Sequence, residues 1–331
     1  GWLIRIGIIL SKELKSKNNN QIERPGILKA IGNTPLVEMP NISVSEDVRL
    51  YAKLEGANPT GSVKDRIALQ MIEMAEENGE IKKGDTVLEP SSGNTGIGLA
   101  MVCKLKGYKL EIVLPENVSP ERVQLLTAYG AKIHFSDGAK GTNGSIDVAK
   151  EMVASGKYFF PYQYGNEANP LAHYYGTGQE IIEQLPEIDI FVAGLGTGGT
   201  LMGTGRRLKE FNSEIKVVAA APQPGDAIQA LRSIEDGFVP PILDLDLLDA
   251  RIMVTSEEAF KATKMLLDDE GIFAGISCGA VVASALKVAR RLDKANIVCL
   301  LADAGWKYLS TNLWTKEYED LQEELESKLW W

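Results

Sequence analysis

The residue with the clearest capacity for chemistry is a lysine at the start of a predicted helix. Lys64 follows a Gly-Ser turn within residues 58–66, which read Asn-Pro-Thr-Gly-Ser-Val-Lys-Asp-Arg. A cation is poorly placed there for helix stability, because the positive end of the helix dipole repels it. The same dipole lowers the pKa of the ε-amine, which suits a nucleophile that forms a Schiff base and then acts as a base.

A polar loop with four hydrogen-bonding side chains follows a predicted strand. Residues 89–96 read Glu-Pro-Ser-Ser-Gly-Asn-Thr-Gly, and the four side chains belong to Ser91, Ser92, Asn94 and Thr95. A helix N-cap requires only one such side chain. Because free helix N–H groups lie beside them, the cluster favours a binding loop for a carboxylate over a cap alone.

A glycine-rich loop follows another predicted strand, in residues 194–205. Glycines allow backbone N–H groups to approach an anion, and the following helix adds its positive end. Three of them match the dinucleotide pattern G-x-G-x-x-G, namely Gly194, Gly196 and Gly199. A dinucleotide site also needs an acidic residue at the end of the next strand to bind a ribose. Between the next predicted strand, residues 216–220, and Asp226 there is no acidic residue. A cradle for a single phosphate is therefore favoured over a dinucleotide site.

These three features together indicate one cofactor. A lysine that can form a Schiff base, a phosphate cradle and a carboxylate loop are the parts that pyridoxal phosphate needs when it acts on an amino acid. The elements that carry them must bring three distant segments to one place.

Short apolar runs alternate with amphipathic stretches, which predicts an α/β fold with mostly parallel sheets flanked by helices. The predicted strands occupy residues 50–54, 86–89, 110–114, 132–135, 190–193, 216–220 and 297–301. The predicted helices include residues 65–77, 120–129, 257–267 and 280–292. Gly79, Gly107 and Gly130 close amphipathic stretches, as expected of helix C-caps. The length of 331 residues suggests about two domains.

Composition narrows the classes of function. A net charge of −10 argues against nucleic acid as a partner, because such a protein needs a basic face. The two histidines and three scattered cysteines lack the spacing of a metal site, so we expect no metal. Three cysteines are also too few for a disulfide framework, which indicates a cytoplasmic protein. No apolar run reaches the roughly 18–20 residues that a membrane helix needs, so we expect no membrane partner.

Several motifs closely resemble those of the cysteine synthase family, a fold type II, tryptophan-synthase-β-like group of pyridoxal-phosphate enzymes. The four strongest are residues 31–36 (Ile-Gly-Asn-Thr-Pro-Leu), 58–66, 89–96 and 194–200, and they occur in the family's order. Residues 275–280 and 308–311 continue the resemblance, which covers about residues 28–315. Within the family, the chain is most similar to the cysteine synthase B and O-phosphoserine sulfhydrylase branch.

The resemblance implies a role for each motif residue. Lys64 is the catalytic Schiff-base lysine, Asn94 contacts the ring hydroxyl of pyridoxal phosphate, and Ser277 bonds its pyridine nitrogen. The residues implied to hold the cofactor phosphate are Gly196, Thr197, Gly198, Gly199 and Thr200. The residues implied to bind the substrate carboxylate are Ser91, Ser92, Gly93, Thr95 and Gln163.

The resemblance also implies the reaction, that of a transferase in cysteine biosynthesis. A sulfur nucleophile replaces the β-substituent of O-acetylserine or O-phosphoserine, and L-cysteine forms through an aminoacrylate intermediate. Sulfide, thiosulfate and a thiocarboxylated sulfur-carrier protein are the candidate sulfur donors. The alternatives are a cystathionine β-synthase, a serine or threonine dehydratase of the same fold, or a catalytically silent binding scaffold.

The implied architecture is a homodimer of two-domain subunits. A large domain of residues 28–57 and 167–315 binds the cofactor phosphate, and a small mobile domain of residues 58–166 carries the carboxylate loop. Residues 1–27 form an N-terminal arm. Residues 316–331 form an acidic tail, predicted as an exposed helix that ends in Trp330 and Trp331.

One position departs from the O-phosphoserine branch. Members that use this substrate are expected to place an arginine just after a strand, where this chain has Gln223. A glutamine cannot pair with a phosphate as an arginine fork does. Gln223 is therefore the candidate selectivity residue, with Arg232 and Lys307 as candidate substitutes for the arginine. The choice between O-acetylserine and O-phosphoserine stays open at this point.

Overall fold

Two separate β-sheets organise the molecule. The computed structural model describes residues 24, 26–91 and 93–321. Its strands in chain order are β1 (Leu36–Glu38), β2 (Val48–Leu54), β3 (Thr86–Pro90), β4 (Lys109–Pro115), β5 (Lys132–Ser136), β6 (Ile190–Gly194), β7 (Lys216–Pro222), β8 (Ala250–Val254) and β9 (Ala295–Leu301). The larger sheet has the order β1-β2-β9-β6-β7-β8, and the smaller has the order β3-β4-β5. Every neighbouring pair is parallel except the antiparallel pair of β1 and β2.

Helices connect the strands and cover the sheets. They are α1 (Lys64–Glu77), α2 (Asn94–Lys106), α3 (Pro120–Tyr129), α4 (Gly141–Val153), α5 (Ala168–Ala172), α6 (Gln179–Gln184), α7 (Gly199–Phe211), α8 (Ser256–Glu270) and α9 (Ile276–Ala289). A π-helical turn, His173–Gly178, joins α5 to α6, and a 3₁₀ helix, Gly305–Thr311, follows β9. Among the described residues, no helix is long and apolar enough to cross a membrane.

The ends of these helices follow local sequence rules. Gly107 and Gly130 end α2 and α3 with φ of 83° and 88°, a left-handed conformation that glycine adopts without strain. Helix α8 begins with a capping box, in which Thr255 and Glu258 each bond the other's backbone N–H. The predicted C-caps at Gly107 and Gly130 are thus confirmed.

The larger sheet is apolar on both faces because successive residues of a strand point to opposite sides. Val192, Ala220 and Cys299 pack on one face with residues of α8 and α9. Their neighbours Phe191, Ala219 and Leu300 pack on the other face with residues of α6 and α7. A third core lies between α1, α2 and the smaller sheet. Buried sheets leave only the strand ends and their loops free to hold a site.

The fold class predicted from the sequence is confirmed, and each of the seven predicted strands is present. The short edge strands β1 and β8 were not predicted. The helix predicted over residues 280–292 begins earlier, at Ile276, and ends at Ala289. Of the predicted tail helix, residues 318–321 are helical, and Leu321 packs against Phe260. The rest of that helix, Trp330, Trp331 and nearly all of the N-terminal arm lie outside the described residues, and the domain boundaries stay a prediction.

Candidate active site

A cavity of about 660 Å³ brings the three predicted segments together. Lys64 lines it from the start of α1, Asn94 and Thr95 from the loop after β3, and Gly196 and Thr197 from the loop after β6. A second cavity of about 50 Å³ shares several of these residues and adds three of the predicted ones. The added predicted residues are Gly198, Thr200 and Ser277, beside the strand-end Gly194. Residues that lie far apart in sequence therefore face one space.

Lys64 is the first residue of α1 and faces both cavities. Lys64 is partly buried, and this burial lowers the pKa of its amine to about 8. The negative charges of Asp303 and Glu89 oppose this shift. A substantial fraction of the amine is consequently neutral near pH 8, so Lys64 can act as a nucleophile and as a base.

The loop of residues 194–200, here called the glycine loop, presents backbone rather than side chains. Gly198 has φ of 88°, and α7 begins at the next residue. A side chain at Gly199 would overlap Asn169, and a Cβ at Gly196 would lie 2.7 Å from the carbonyl oxygen of Ala230. Only glycine fits at these points, and the free N–H groups at the start of α7 suit a phosphate.

Two side chains support the glycine loop from behind. The Asn169 amide donates to Thr197 Oγ1 at 3.0 Å, and its own oxygen is buried without a hydrogen-bond partner among the described residues. Thr200 Oγ1 lies 3.3 Å from His173 Nε2. Burial, with the nearby charges of Arg66 and Lys64, holds the pKa of His173 well below its usual range, so this imidazole is neutral. Neither Asn169 nor His173 carries a sequence signal that marks it as a site residue.

The loop of residues 91–95, here called the hydroxyl loop, is organised by its own side chains. Ser91 Oγ accepts from the N–H groups of Gly93 at 3.2 Å and Gly96 at 3.0 Å, so this hydroxyl caps the start of α2. Thr95 Oγ1 donates to Gln163 Oε1 at 2.7 Å. Ser91, Thr95 and Gln163 all line the larger cavity, whereas Ser92 lies outside the described residues.

The buried carboxyl group of Glu89 holds the segment that contains Gln163, the hydrogen-bond partner of Thr95. Glu89 accepts from the backbone N–H groups of Tyr162 at 2.7 Å and Gln163 at 2.9 Å. Burial raises the pKa of Glu89 to about 8, against these two hydrogen bonds and the charge of Lys64. Glu89 thereby anchors the segment that carries Gln163. No sequence signal distinguished it from an ordinary strand residue.

Asn94 and Ser277 face the smaller cavity from two helix starts. Ser277 is 5% exposed and lies in the first turn of α9. Its neighbour Cys278 is fully buried, and burial raises the pKa of its thiol well above the usual range. Cys278 is therefore an inert core residue. All three cysteines are free and buried.

The larger cavity carries a positive charge although the protein is acidic overall. Among the described residues that line it, four side chains are cationic and one is anionic, Asp226. The cations are Lys64, Arg122, Lys140 and Arg232. Arg122 was not identified from the sequence, is 3% exposed and lies 4.9 Å from the ring centre of Tyr308. This local charge suits anionic ligands.

The role of Gln223 as the selectivity residue stays a prediction. Gln223 follows β7, is exposed, and is absent from the described lining of both cavities. Arg232 does line the larger cavity, and its guanidinium packs 4.6 Å from the ring centre of Phe238. Lys307 is fully buried beside Asn94. Within the described residues, no cluster of three or more His, Cys, Asp or Glu side chains could hold a metal ion.

Comparisons with known proteins agree with this geometry. Residues 27–303 match the family model described as pyridoxal-phosphate dependent enzyme. The chain is 43% identical over 299 residues to a cysteine synthase of Staphylococcus aureus, covering 87% of this chain and 96% of that protein. A crystal structure of a hydrogen sulfide-producing enzyme from Fusobacterium nucleatum matches with a TM-score of 0.82 and 40% identity, over 86% of this chain and 99% of that chain. A cysteine synthase from Entamoeba histolytica matches with a TM-score of 0.81 and 34% identity, over 94% and 97%.

Proposed function

The chain belongs to the pyridoxal-phosphate dependent enzymes, and from that premise we propose that it makes L-cysteine from an O-activated L-serine and a sulfur nucleophile. The observation that carries this proposal is the position of Lys64. A lysine amine with a pKa lowered to about 8 lies beside a glycine loop suited to a phosphate and a hydroxyl loop suited to a carboxylate. This arrangement fits a β-replacement on an amino acid.

The residues present fit the cofactor. The glycine loop offers N–H groups where any larger residue at position 199 would clash, and Asn169 behind it has a buried oxygen with no hydrogen-bond partner in the part of the chain that the structure describes. In this proposal the loop holds the phosphate, Asn94 contacts the ring hydroxyl, and Ser277 bonds the ring nitrogen. When bound, pyridoxal phosphate supplies an electron sink for negative charge at the substrate α-carbon.

Lys64 handles the protons in this proposal. Its neutral amine removes the proton from the substrate α-carbon and later returns it, so its pKa must lie near the working pH. Burial sets that pKa to about 8. Asp303 and Glu89 keep the ammonium form accessible, because their charges favour it. The amine can therefore accept a proton and release it again within one turnover.

The hydroxyl loop orients the amino acid. Ser91, Ser92, Gly93 and Thr95, with Gln163, are proposed to bind the substrate carboxylate. The position of the loop at the N-terminus of α2 supports this role, because the helix dipole favours an anion there. Arg122, buried next to Gly93, adds a positive charge behind the loop.

The charged side chains that line the larger cavity favour one of the two possible activating groups on the serine hydroxyl. Arg232 and Lys140 line the larger cavity, where Asp226 is the one acid among the described lining residues, and this excess of positive charge favours a phosphoryl over an acetyl substituent. O-Phosphoserine is therefore our proposed acceptor, and O-acetylserine is its competitor. Replacing Arg232 by alanine tests this choice, because it should weaken the use of O-phosphoserine alone.

Other features complete the proposal. Sulfide is the simplest donor, and thiosulfate and a thiocarboxylated carrier protein are alternatives. A cytoplasmic location is supported by three free cysteines. A homodimer is what the resemblance to the family implies. A mobile small domain of residues 58–166 is supported by the separate sheet that this segment contains.

Product analysis tests the proposed function. The protein, loaded with pyridoxal phosphate, is supplied with O-phosphoserine, O-acetylserine or serine, each with sulfide or homocysteine. We expect cysteine from an activated serine and sulfide, with kcat/KM highest for O-phosphoserine and reduced at least about tenfold for that substrate alone by Arg232→Ala. Cystathionine from serine and homocysteine would favour a cystathionine β-synthase, and pyruvate from serine alone would favour a dehydratase. Cysteine from neither activated serine would refute the proposal.

A further inference from the structure

The Asn94 amide is held from two sides by charged residues, Asp303 and Lys307, and Lys307 has no role in the proposed chemistry. Lys307 Nζ donates to Asn94 Oδ1 at 2.7 Å, and Asn94 Nδ2 donates to Asp303 Oδ2 at 2.8 Å. We propose that Lys307 is a positioning residue that, with Asp303, fixes the Asn94 amide so that it presents one N–H donor to the cofactor's ring hydroxyl. This inference rests on the proposed function and deepens it.

The chemistry of the two partners fixes the direction of the amide. An ammonium group only donates, so it must face the amide oxygen, and a carboxylate oxygen accepts, so it must face Nδ2. Nδ2 carries two hydrogens, and Asp303 takes one of them. Because Asn94 lines both cavities, the second hydrogen is available to a ligand. The amide therefore offers a donor and no acceptor to that ligand.

The groups that hold Asn94 are themselves rigidly placed. Lys307 is fully buried and Asp303 is 2% exposed. Asp303 forms a bridge with Ser62, and the Tyr308 hydroxyl donates to its carboxylate. Lys307 lies in the 3₁₀ helix that follows this bridge. Neither group can swing away without breaking backbone or side-chain contacts, so the orientation of Asn94 is over-determined.

A buried lysine is costly, which makes its presence informative. Burial lowers the pKa of Lys307 to about 8, the charges of Asp303 and Asp65 oppose that shift, and the charge of Arg122 adds to it. Apolar residues of similar volume often replace buried charges without loss of stability. Neutralising the two acids is the competing explanation for Lys307, and it requires no particular direction of the Asn94 amide.

Lys307→Met separates these explanations, with Lys53→Met as the matched control. Lys53 is also fully buried and donates to a carboxylate, Glu180, at 2.7 Å, but it does not contact Asn94. Each purified protein is titrated with pyridoxal phosphate, and both the dissociation constant and the maximum of the visible absorption band are recorded. The same substitution is also made in an Asn94→Ala background.

We expect Lys307→Met to raise the dissociation constant about tenfold and to shift the band, because a freed amide can turn its oxygen toward the ring hydroxyl. Lys53→Met should leave the band unchanged, and in the Asn94→Ala background Lys307→Met should have no further effect. An absorption maximum that is unchanged by Lys307→Met, or that shifts equally in the wild-type and Asn94→Ala backgrounds, would refute this inference. Neither result would refute the proposed function. A wild type that binds no pyridoxal phosphate overturns the proposed function as well.

A second measurement uses the wild type, in case Lys307→Met does not fold. In protein labelled with ¹⁵N-asparagine, the side-chain signal of Asn94 is assigned by its absence in Asn94→Ala. Adding pyridoxal phosphate should shift one Nδ2 proton strongly and leave the proton bonded to Asp303 nearly in place. Comparable shifts of both protons, or of neither, would show that the amide is not held in the proposed direction.

Discussion

The two loops that face the larger cavity use different parts of the chain to meet a ligand. The glycine loop offers backbone N–H groups, and its shape depends on the absence of side chains at Gly196 and Gly199. The hydroxyl loop depends on side chains, which bond both the start of α2 and Gln163. A backbone site fails when a Cβ is added, whereas a side-chain site weakens by one hydrogen bond at a time. The difference predicts how each loop responds to mutation.

Lys64 lies beside both loops. Its replacement should therefore reduce activity more than any single change in either loop. We expect Lys64→Ala to lower kcat for cysteine formation by at least about 10²–10⁴-fold, because the group that moves the α-proton is missing. Steady-state kinetics at saturating cofactor measure the loss. Lys157→Ala, a change at an exposed lysine, is the control and should stay within about twofold of wild type. A Lys64→Ala enzyme with a tenth of wild-type kcat would contradict this assignment.

An added methyl group should break the glycine loop. Gly199→Ala places a Cβ against Asn169, and we expect the dissociation constant for pyridoxal phosphate to rise about 10- to 100-fold, as overpacking usually costs about 1–3 kcal/mol. Titration followed by absorbance measures it. Gly79→Ala, which strains a left-handed residue far from the cavity, controls for lost stability. Equal affinity of the wild type and Gly199→Ala for pyridoxal phosphate would show that this loop does not bind the cofactor phosphate.

A lost hydroxyl should weaken the hydroxyl loop without affecting the cofactor. Thr95→Val removes the hydrogen bond that holds Gln163 beside the proposed carboxylate site, and we expect KM for the amino acid to rise roughly tenfold. The visible band of bound cofactor should stay unchanged, which separates the two loops. If Thr95→Val instead weakened cofactor binding and left KM alone, the roles given to the loops would be wrong.

The pH dependence reports on the lysine between the loops. Only the neutral amine attacks the cofactor aldehyde, and the neutral fraction rises with pH through the pKa of about 8. Between pH 7.5 and 8.5 we expect the rate of cofactor attachment to rise about threefold and then level off. Stopped-flow absorbance follows it, with Lys64→Ala as a blank. A rate still rising tenfold per unit above pH 9 would indicate a lysine with an ordinary pKa.

The parts of the site that local sequence determines were predictable. The start of α1 at Lys64 and the shape of the glycine loop depend on neighbouring residues, and both were predicted from them. The alternation of strands and helices gave the fold class in the same way. In each case the physical cause, a helix start or a conformation that only glycine adopts, lies within a few residues of the feature.

Contacts between distant segments could not be predicted. Asn94 meets Asp303 and Lys307 across 209 and 213 residues of chain, and Thr95 meets Gln163 across 68. Burial of polar groups such as Glu89 and His173 contradicts their hydropathy, so no periodic pattern reveals them. Only the folded chain shows which charges are desolvated together.

The path of the irregular loop that follows β7 could not be predicted either. The sequence predicted a selectivity residue at Gln223, and the described lining of the larger cavity includes Arg232, which follows a turn at Gly225 with φ of 79°. Loop geometry has no period from which a register can be counted, so the position of Gln223 relative to the cavity could not be predicted from the sequence. The arginine itself was recognised as a candidate from the sequence.

Two lysines with a pKa lowered to about 8 lie near the cavity, and the central claim is that Lys64 alone bonds the cofactor. Reduction of the pyridoxal phosphate-loaded protein with borohydride, followed by digestion and mass spectrometry, tests it most directly. Reduction makes any Schiff base permanent and thereby marks the lysine that carries it. We expect the mark on the peptide that contains Lys64. A mark on Lys307, or no mark on any lysine, would contradict the claim.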